Sequence, residues 1–304
     1  MENEKNLILK YADKTEEYLE GDEVKLLRIF KSDKPALEVE KVLADKPSWS
    51  MIYHLSEQRE NLLSWYPFSK EETLLEVGSG CGAITGLFCE KLKKVTAVEL
   101  TERRAKITAL RHERYKNLTV YAGNIDKIPL EEKYDYVTSI GVLEYAGKYS
   151  KSESPFIDFL KKLKSFLKEQ GILILAIENK FGLKYWSGAP EDHTGKVFNS
   201  LEGYPSSDEA RTFSKKELEE LLILTGFNSI QFYYPSPDYK FPAEIFSDEY
   251  LPNKIQGLRA GLTPHGFTEN KIPLFNDDLV SDGVITAGQF PFFSNSFLVF
   301  AKGE

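Results

Sequence analysis

The chain has 304 residues, 41% of them hydrophobic and 28% charged, with a formal net charge of −8. That composition belongs to a globular protein with an ample core and excludes a disordered, fibrous or membrane-embedded chain. The acidic surplus also speaks against a general phosphate-binding surface, which gathers Lys and Arg on one face, so no nucleic-acid partner is expected.

The opening residues, MENEKNLILKYADKTEEYLE, contain no basic segment leading into a long apolar run and do not read as a secretory signal. The longest clean apolar run, Ile172–Ile177, is too short to cross a bilayer. A cytoplasmic location without membrane insertion is expected. Cys81 and Cys89 lie outside any CxxC-type spacing, so neither a zinc site nor a redox pair is indicated.

Residues 1–70 read as an N-terminal extension with one helical stretch near Tyr53–Tyr66, where Leu55, Leu62, Leu63 and Trp65 mark an apolar face. From Glu72 to about Asn179, short apolar runs alternate with amphipathic segments, the pattern of βαβ units and a parallel sheet. Strands are predicted at Leu74–Val77, Val95–Glu99, Leu118–Ala122, Tyr136–Ile140 and Ile172–Ile177, and helices at Ala83–Leu92, Arg103–Arg114 and Pro155–Lys168. In the last of these helices, Lys161, Lys162, Lys164 and Lys168 form a solvated face opposite Phe159, Leu160, Leu163 and Leu167. The aperiodic run from about 180 to 210 is too long for a plain connection and reads as a functional loop over a site. Ser214–Thr225 is a capped helix, with Ser214 as N-cap, Glu217 completing a capping box and Gly226 ending it. Ser229–Tyr234 and Ser296–Ala301 add two strands, and the stretch between them, about 235–292, is an insertion serving as lid or oligomer contact. The fold class expected is α/β: a Rossmann-like, seven-stranded, mostly parallel sheet with a terminal antiparallel strand pair. Residues 71–304 form its core.

Leu74-Leu75-Glu76-Val77-Gly78-Ser79-Gly80-Cys81-Gly82 runs a strand straight into glycines and then a helix. Residues without a Cβ allow a sharp turn and close approach of a ligand at the carboxyl edge of the first strand. Glu99 ends the second strand about twenty positions later, where an acid can accept both hydroxyls of a ribose.

This order, E-V-G-x-G-x-G followed by V-x-A-V-E, resembles the class I S-adenosylmethionine-dependent methyltransferases over roughly Arg59 to Ala301. The resemblance implies S-adenosylmethionine as cofactor. It places Glu76, Gly78, Ser79, Gly80, Cys81 and Gly82 at the methionine moiety, Glu99 with Leu100 at the ribose, and Asn124 and Ile125 beside the adenine. The exit of the fourth strand, Ser139-Ile140-Gly141-Val142-Leu143-Glu144-Tyr145, faces the methyl group in that family. A closer likeness is to a bacterial subgroup carrying Arg59-Glu60-Asn61, Glu178–Trp186 and Glu191–Gly195, which implies a sugar or glycan acceptor. There Arg59 is expected to hold the cofactor carboxylate through a bidentate contact. Gly78-x-Gly80-x-x-Ala83 also fits a dinucleotide fingerprint, so an NAD-dependent oxidoreductase is the alternative. Glu76, Gly82 and the late strand pair favour the methyltransferase. A cofactor-binding interaction protein without catalysis is the third reading.

Methyl transfer is an in-line displacement governed by alignment, and a hydroxyl acceptor gains from a base. His193 beside Asp192 is the candidate base, a neutral imidazole oriented by an acid, with Glu144 and Glu178 as further catalytic candidates. Tyr145, Asn179, Tyr185 and Trp186 are the expected substrate contacts, Tyr185 and Trp186 as part of a stacking platform with Phe232, Tyr233, Tyr234, Tyr239 and Phe241. His54, His112 and His265 show no ligand spacing, and no metal is expected. The N-P-P-Y type tetrad is replaced by Ser139-Ile140-Gly141-Val142, which weighs against DNA adenine or protein glutamine as acceptor. The expectation is transfer to a hydroxyl of a small-molecule or glycan-linked acceptor, with a homodimer as the assembly left open.

Overall fold

A computed structural model of the chain describes residues 6–13, 21–150, 152–205, 210–253 and 274–303. Nine strands form a single mixed sheet: β1 (Leu7–Tyr11), β2 (Thr73–Val77), β3 (Lys94–Glu99), β4 (Leu118–Gly123), β5 (Tyr134–Ile140), β6 (Leu167–Glu178), β7 (Ser229–Ser236), β8 (Glu244–Ser247) and β9 (Ser296–Lys302). Their order is β1-β4-β3-β2-β5-β6-β9-β7-β8. Two compact units divide the chain, the first spanning Met1–Thr138 with Phe166–Lys168, the second Ser139–Ser165 with Glu169–Glu304.

In the first unit, β2, β3 and β4 are parallel, with Leu75 opposite Thr96 and Val98 opposite Tyr121. These strands bury nearly every side chain, because helices cover both faces of such a sheet. The helices are α1 (Glu23–Phe30), α2 (Pro35–Ala44), α3 (Trp49–Leu55), α4 (Thr85–Lys91) and α5 (Glu102–Arg111). Leu26 and Ile29 from α1, Met51 and Leu55 from α3, Cys81 and Ile107 form one buried cluster. Full burial of each large aliphatic there is worth about 1.5–3 kcal/mol. Glu23 and Arg104 pair across this cluster through two hydrogen bonds of 3.0 and 3.2 Å.

In the second unit, β9 lies between β6 and β7 and is antiparallel to both, pairing Leu175 with Val299 and Phe232 with Val299 from its two sides. The antiparallel strand pair expected from the last part of the sequence is thus present as β7 and β9. Its helices are α6 (Ala146–Tyr149), α7 (Pro155–Ser165), α8 (Leu183–Trp186), α9 (Lys215–Leu224), α10 (Asp277–Thr286) and α11 (Phe290–Phe293). The capping box on α9 forms as the sequence predicts: Ser214 accepts from the Glu217 N–H and Glu217 from the Ser214 N–H.

The count of seven strands is corrected to nine. The additional β1 pairs in parallel with β4, more than a hundred residues away, so no local pattern announces it. The four-residue β8, antiparallel to β7, is too short to show alternation inside a Pro-rich stretch. The helix predicted over Tyr53–Tyr66 is broken at Ser56, whose side chain caps a separate 3₁₀ turn at Glu57–Leu62. The helix predicted to Lys168 stops at Ser165, and β6 begins at Leu167 through an exposed polar stretch, five residues before the apolar run. The loop expected at 180–210 contains the short helix α8 and a bridge between Pro190 and Val197. Part of the 235–292 insertion, including His265, lies outside the described residues.

Candidate active site

The turn after β2 depends on Gly78, Gly80 and Gly82, at φ of +82°, +56° and +74°, a region that costs little only without a Cβ. The Gly78 and Ser79 N–H groups both donate to the Val98 carbonyl, at 2.8 and 3.2 Å, anchoring the loop to β3. At the end of β3, Glu99 receives the Gly80 N–H at 3.0 Å on one oxygen and the Thr101 N–H and hydroxyl at 3.0 and 3.2 Å on the other. A Cβ placed on Gly80 would meet nothing within 4 Å, and the buried Ser79 Oγ has no hydrogen-bond partner among the described residues. The loop therefore offers open space lined by an unused hydroxyl and beside an acid, which fits a ligand carrying hydroxyls and charge.

Glu76 lies beneath this turn, fully buried, and accepts from the Thr85 hydroxyl at 2.7 Å. Burial pushes its carboxyl up to about 7, the Thr85 bond opposing and the Glu99 charge adding to the rise. Glu99 is raised as well, by burial first, against the pull of Arg104 and its own hydrogen bonds.

Three successive carbonyls of the loop are held from one helix. On α5 and its cap, Thr108 Oγ1 donates to the Gly80 carbonyl at 2.9 Å, Arg111 to that of Cys81 at 3.3 Å, and His112 Nε2 to that of Gly82 at 2.7 Å. Burial, with Arg111 next to it, pulls the His112 imidazole down to about 3, so it is neutral and its Nε2 carries the proton it donates. None of the three stood out in the sequence. Their spacing on an amphipathic helix directly after Glu99 is the only signal.

The other expected cofactor residues are placed as follows. Cys81 turns its side chain into the cluster with Leu26 and Ile107, so only its backbone faces the loop. Arg59 is buried with its guanidinium 4.2 Å over the Tyr53 ring and donates to the Tyr53 hydroxyl at 3.2 Å. Asn124 caps the turn after β4 by accepting the Asp126 N–H at 2.9 Å, Ile125 is buried beside it, and Leu100 follows Glu99 half-buried. Gly141, in the second unit, has φ of +68°, and a Cβ there would come within 2.8 Å of the Tyr239 hydroxyl.

The second unit brings Glu144, Glu178 and His193 together. Glu144 sits on a 3₁₀ turn just after β5, and Glu178 is the last residue of β6. His193 is presented by the turn Glu191–Gly195, in which one Glu191 oxygen takes the His193 and Thr194 N–H groups at 2.9 and 2.7 Å. The other Glu191 oxygen receives His193 Nδ1 at 2.9 Å and the Tyr204 hydroxyl at 3.3 Å. His193 Nε2 is thereby aimed at Glu144 Oε1, 3.6 Å away, and Glu178 Oε2, 3.9 Å away, with Tyr145 edge-on at 5.3 Å.

Two expectations about His193 are corrected. The acid that orients it is Glu191, because the Asp192 carboxylate instead takes Lys184 at 2.5 Å, the Tyr185 hydroxyl at 3.1 Å and Lys240 at 3.2 Å. Nor is the ring neutral: burial would strip its proton, but the surrounding carboxylates, Glu178 foremost, hold it well above the ordinary histidine range. Burial raises Glu144, with His193 opposing, whereas Lys240 and His193 outweigh burial and hold Glu178 below its usual range.

The expected substrate contacts separate. Asn179 is fully engaged in structure, donating to the Phe292 and Ser294 carbonyls at 2.7 Å each and accepting the Phe181 N–H at 3.0 Å. Tyr185 is wholly buried, whereas Trp186 is exposed, its indole donating to the Phe181 carbonyl at 3.2 Å. Of the proposed platform, Phe232, Tyr234, Tyr239 and Phe241 are core residues. Lys184, Asp238 and Lys240, which build the charged surroundings, were not singled out, since their partners are remote in sequence.

Residues 75–175 match the family described as Methyltransferase domain. The matched segment, about a third of the chain, is similar to S-adenosylmethionine-dependent methyltransferase domains. That decides between the two cofactors left open by the glycines. The chain is 33% identical over 99 residues to the ribosomal RNA small subunit methyltransferase A of Syntrophus aciditrophicus (strain SB), covering 33% of this chain and 30% of that one. To the malonyl-[acyl-carrier protein] O-methyltransferase of Priestia megaterium (strain DSM 319 / IMG 1521) it is 27% identical over 124 residues, or 40% and 42% of the two chains. It thus spans less than half the length of these curated relatives. A chain solved in the complex of the Haloferax volcanii Trm112 methyltransferase activator with its methyltransferase superposes with a TM-score of 0.50 at 15% identity, covering 88% of this chain and 98% of that one. The two chains share a fold. No helix among the described residues is long and apolar enough to cross a membrane.

Proposed function

We propose that the protein transfers the methyl group of S-adenosylmethionine to a hydroxyl of a sugar, a glycan-linked unit or a related small polar molecule. The observation that carries the cofactor half is the cradle of the first unit: three glycines at positive φ, open space at Gly80, an unpartnered Ser79 hydroxyl and Glu99 at the strand end. Glu99 would take the ribose hydroxyls, the loop the methionine moiety, and Asn124 with Ile125 the adenine. The cofactor supplies an electrophilic methyl on a sulfonium.

The acceptor is assigned to the second unit's cluster. Transfer would form a C–O bond on the acceptor hydroxyl while the C–S bond of the donor gives its electron pair to sulfur. The hydroxyl proton goes to Glu144, whose Oε2 is buried and without a hydrogen-bond partner among the described residues. His193 holds Glu144 and Glu178 in place. The net charge of −8 supports a neutral polar acceptor rather than nucleic acid, and action in the cytoplasm is part of the same proposal. A relative named for ribosomal RNA keeps RNA among the acceptors to be screened.

The test is transfer of a labelled methyl group from S-adenosylmethionine to a panel of sugars, nucleotide sugars, acyl-carrier carboxylates and RNA, with mass spectrometry of the product. A methyl ether on a sugar is expected. Labelling of a carboxylate or of RNA alone would replace the acceptor assignment and leave the cofactor assignment intact.

A further inference from the structure

Glu144, Glu178 and His193 each offer one ligand atom, and these three atoms lie within 4.8 Å of one another. A proton on His193 Nε2 does not account for the arrangement, since 3.6 and 3.9 Å to the two carboxylates are beyond hydrogen-bonding range. Glu178 uses Oε1 for Lys240 and for the Tyr239 hydroxyl at 3.3 Å, while its Oε2, facing the imidazole, has no hydrogen-bond partner among the described residues. Both glutamates are almost entirely removed from solvent, Glu178 completely and Glu144 to within 1%. A buried carboxylate oxygen left in this state costs free energy unless something positive meets it.

Among the described residues the surroundings are also short of positive charge. The carboxyl groups of Glu144, Glu178, Glu191, Asp192 and Asp238 are met by the ammonium groups of Lys184 and Lys240 and by one imidazole. The other face of that imidazole is already fixed. Nδ1 donates to Glu191, which is itself held by two backbone N–H groups and the Tyr204 hydroxyl. A histidine whose second nitrogen is anchored on a carboxylate, leaving Nε2 to point outward, is the arrangement that orients metal-ligating imidazoles.

We propose that Glu144, Glu178 and His193 bind one divalent cation of the manganese or zinc class, with Glu191 fixing the histidine. Two carboxylates and one imidazole suit manganese or zinc better than magnesium or calcium, which take oxygen ligands throughout. A cation centred among atoms so spaced lies at most about 2.8 Å from each, and side-chain shifts of under about 1 Å bring bonds to the 2.0–2.2 Å usual for nitrogen and carboxylate ligands. Three protein ligands leave coordination positions open. Resting on the methyltransferase reading above, the cation would hold the acceptor hydroxyl and make it more acidic, Glu144 ligating through Oε1 and receiving the proton on Oε2. The absence of an HxxxH spacing hid this site, because its ligands come from three separate segments.

The test is titration of the purified full-length chain with Mn²⁺ alone, read by loss of the free-ion electron paramagnetic resonance signal, followed by displacement with Zn²⁺. One site per chain is expected, with the bound Mn²⁺ released by Zn²⁺. Glu191→Gln should weaken it about 10–100-fold by freeing the imidazole. His193→Ala should remove stoichiometric binding, with circular dichroism confirming the fold. No stoichiometric site for either ion in the unsubstituted chain overturns the proposal, as does undiminished binding in His193→Ala. Neither cofactor nor acceptor enters the measurement, so its failure leaves the methyltransferase reading standing, and failure of S-adenosylmethionine to bind leaves this site standing.

Discussion

Replacing Glu99 by alanine removes the acceptor that the ribose hydroxyls require and also the carboxylate that holds the Gly80 and Thr101 N–H groups at 3.0 Å. Hydrogen bonds to a charged acceptor contribute about 1.5–3 kcal/mol each, so losing two from a ribose costs about 3–6 kcal/mol. At about 1.4 kcal/mol per tenfold, S-adenosylmethionine affinity should fall by about 10²–10⁴. Glu99→Gln keeps one acceptor oxygen but sets an amide donor against backbone N–H groups, and should fall between alanine and the wild type. S-adenosylhomocysteine carries the same ribose, so its affinity should drop by the same factor. Isothermal titration calorimetry with both ligands measures this directly. A Glu99→Ala protein that is folded by circular dichroism and binds S-adenosylmethionine within threefold of wild type would refute the ribose assignment.

Three further outcomes are expected. Glu76 has a folded pKa of about 7 against an ordinary 4.5, so the folded state binds a proton more tightly than the unfolded state. The stabilisation is fully present below 4.5 and is lost as pH rises through about 7, a change of about 3 kcal/mol; urea midpoints of the ligand-free protein should fall over that window and flatten in Glu76→Gln. Gly123→Ala would place a Cβ 2.4 Å from the Tyr11 carbonyl oxygen at φ of +140°, so β1 should detach; faster hydrogen exchange confined to residues 7–11 would show it, and unchanged protection would contradict it. Ser214→Ala deletes the side-chain half of the α9 capping box, leaving only the backbone N–H of residue 214 on Glu217, and should cost about 0.5–2 kcal/mol in denaturant unfolding, with Ser214→Asp restoring most of it.

The fold around the glycine turn was legible because its signals are local. A strand, three glycines, a helix and an acid at the next strand end follow within about twenty-five residues, and each has a direct backbone reason. The capping box at Ser214 and Glu217 is of the same kind. What failed depended on distance. β1 finds β4 across more than a hundred residues, and the charge state of His193 is set by Glu178 and Glu144, which come from other segments. The choice between Glu191 and Asp192 as its partner is local, but it turns on which way a five-residue turn folds, and adjacent acids look equivalent in sequence. Asn179 illustrates the reverse error: its position at a strand exit suggests substrate, yet its amide is spent on the backbone around Phe292 and Ser294.

The helix α5 reaches in two directions. Towards the cofactor it fixes the carbonyls of Gly80, Cys81 and Gly82; away from it, Arg104 grips Glu23, Ala109 receives the Asn6 amide at 3.3 Å, and Arg111 donates to the His54 carbonyl at 2.6 Å. Asn6, Glu23 and His54, in a stretch the sequence presents as an appendage, thus brace the helix that holds the glycine turn. A chain shortened at its amino terminus would keep every residue of the signature that identifies it, yet should grip its cofactor poorly. Searching for a methyl donor's site by motif alone would score such a fragment as intact.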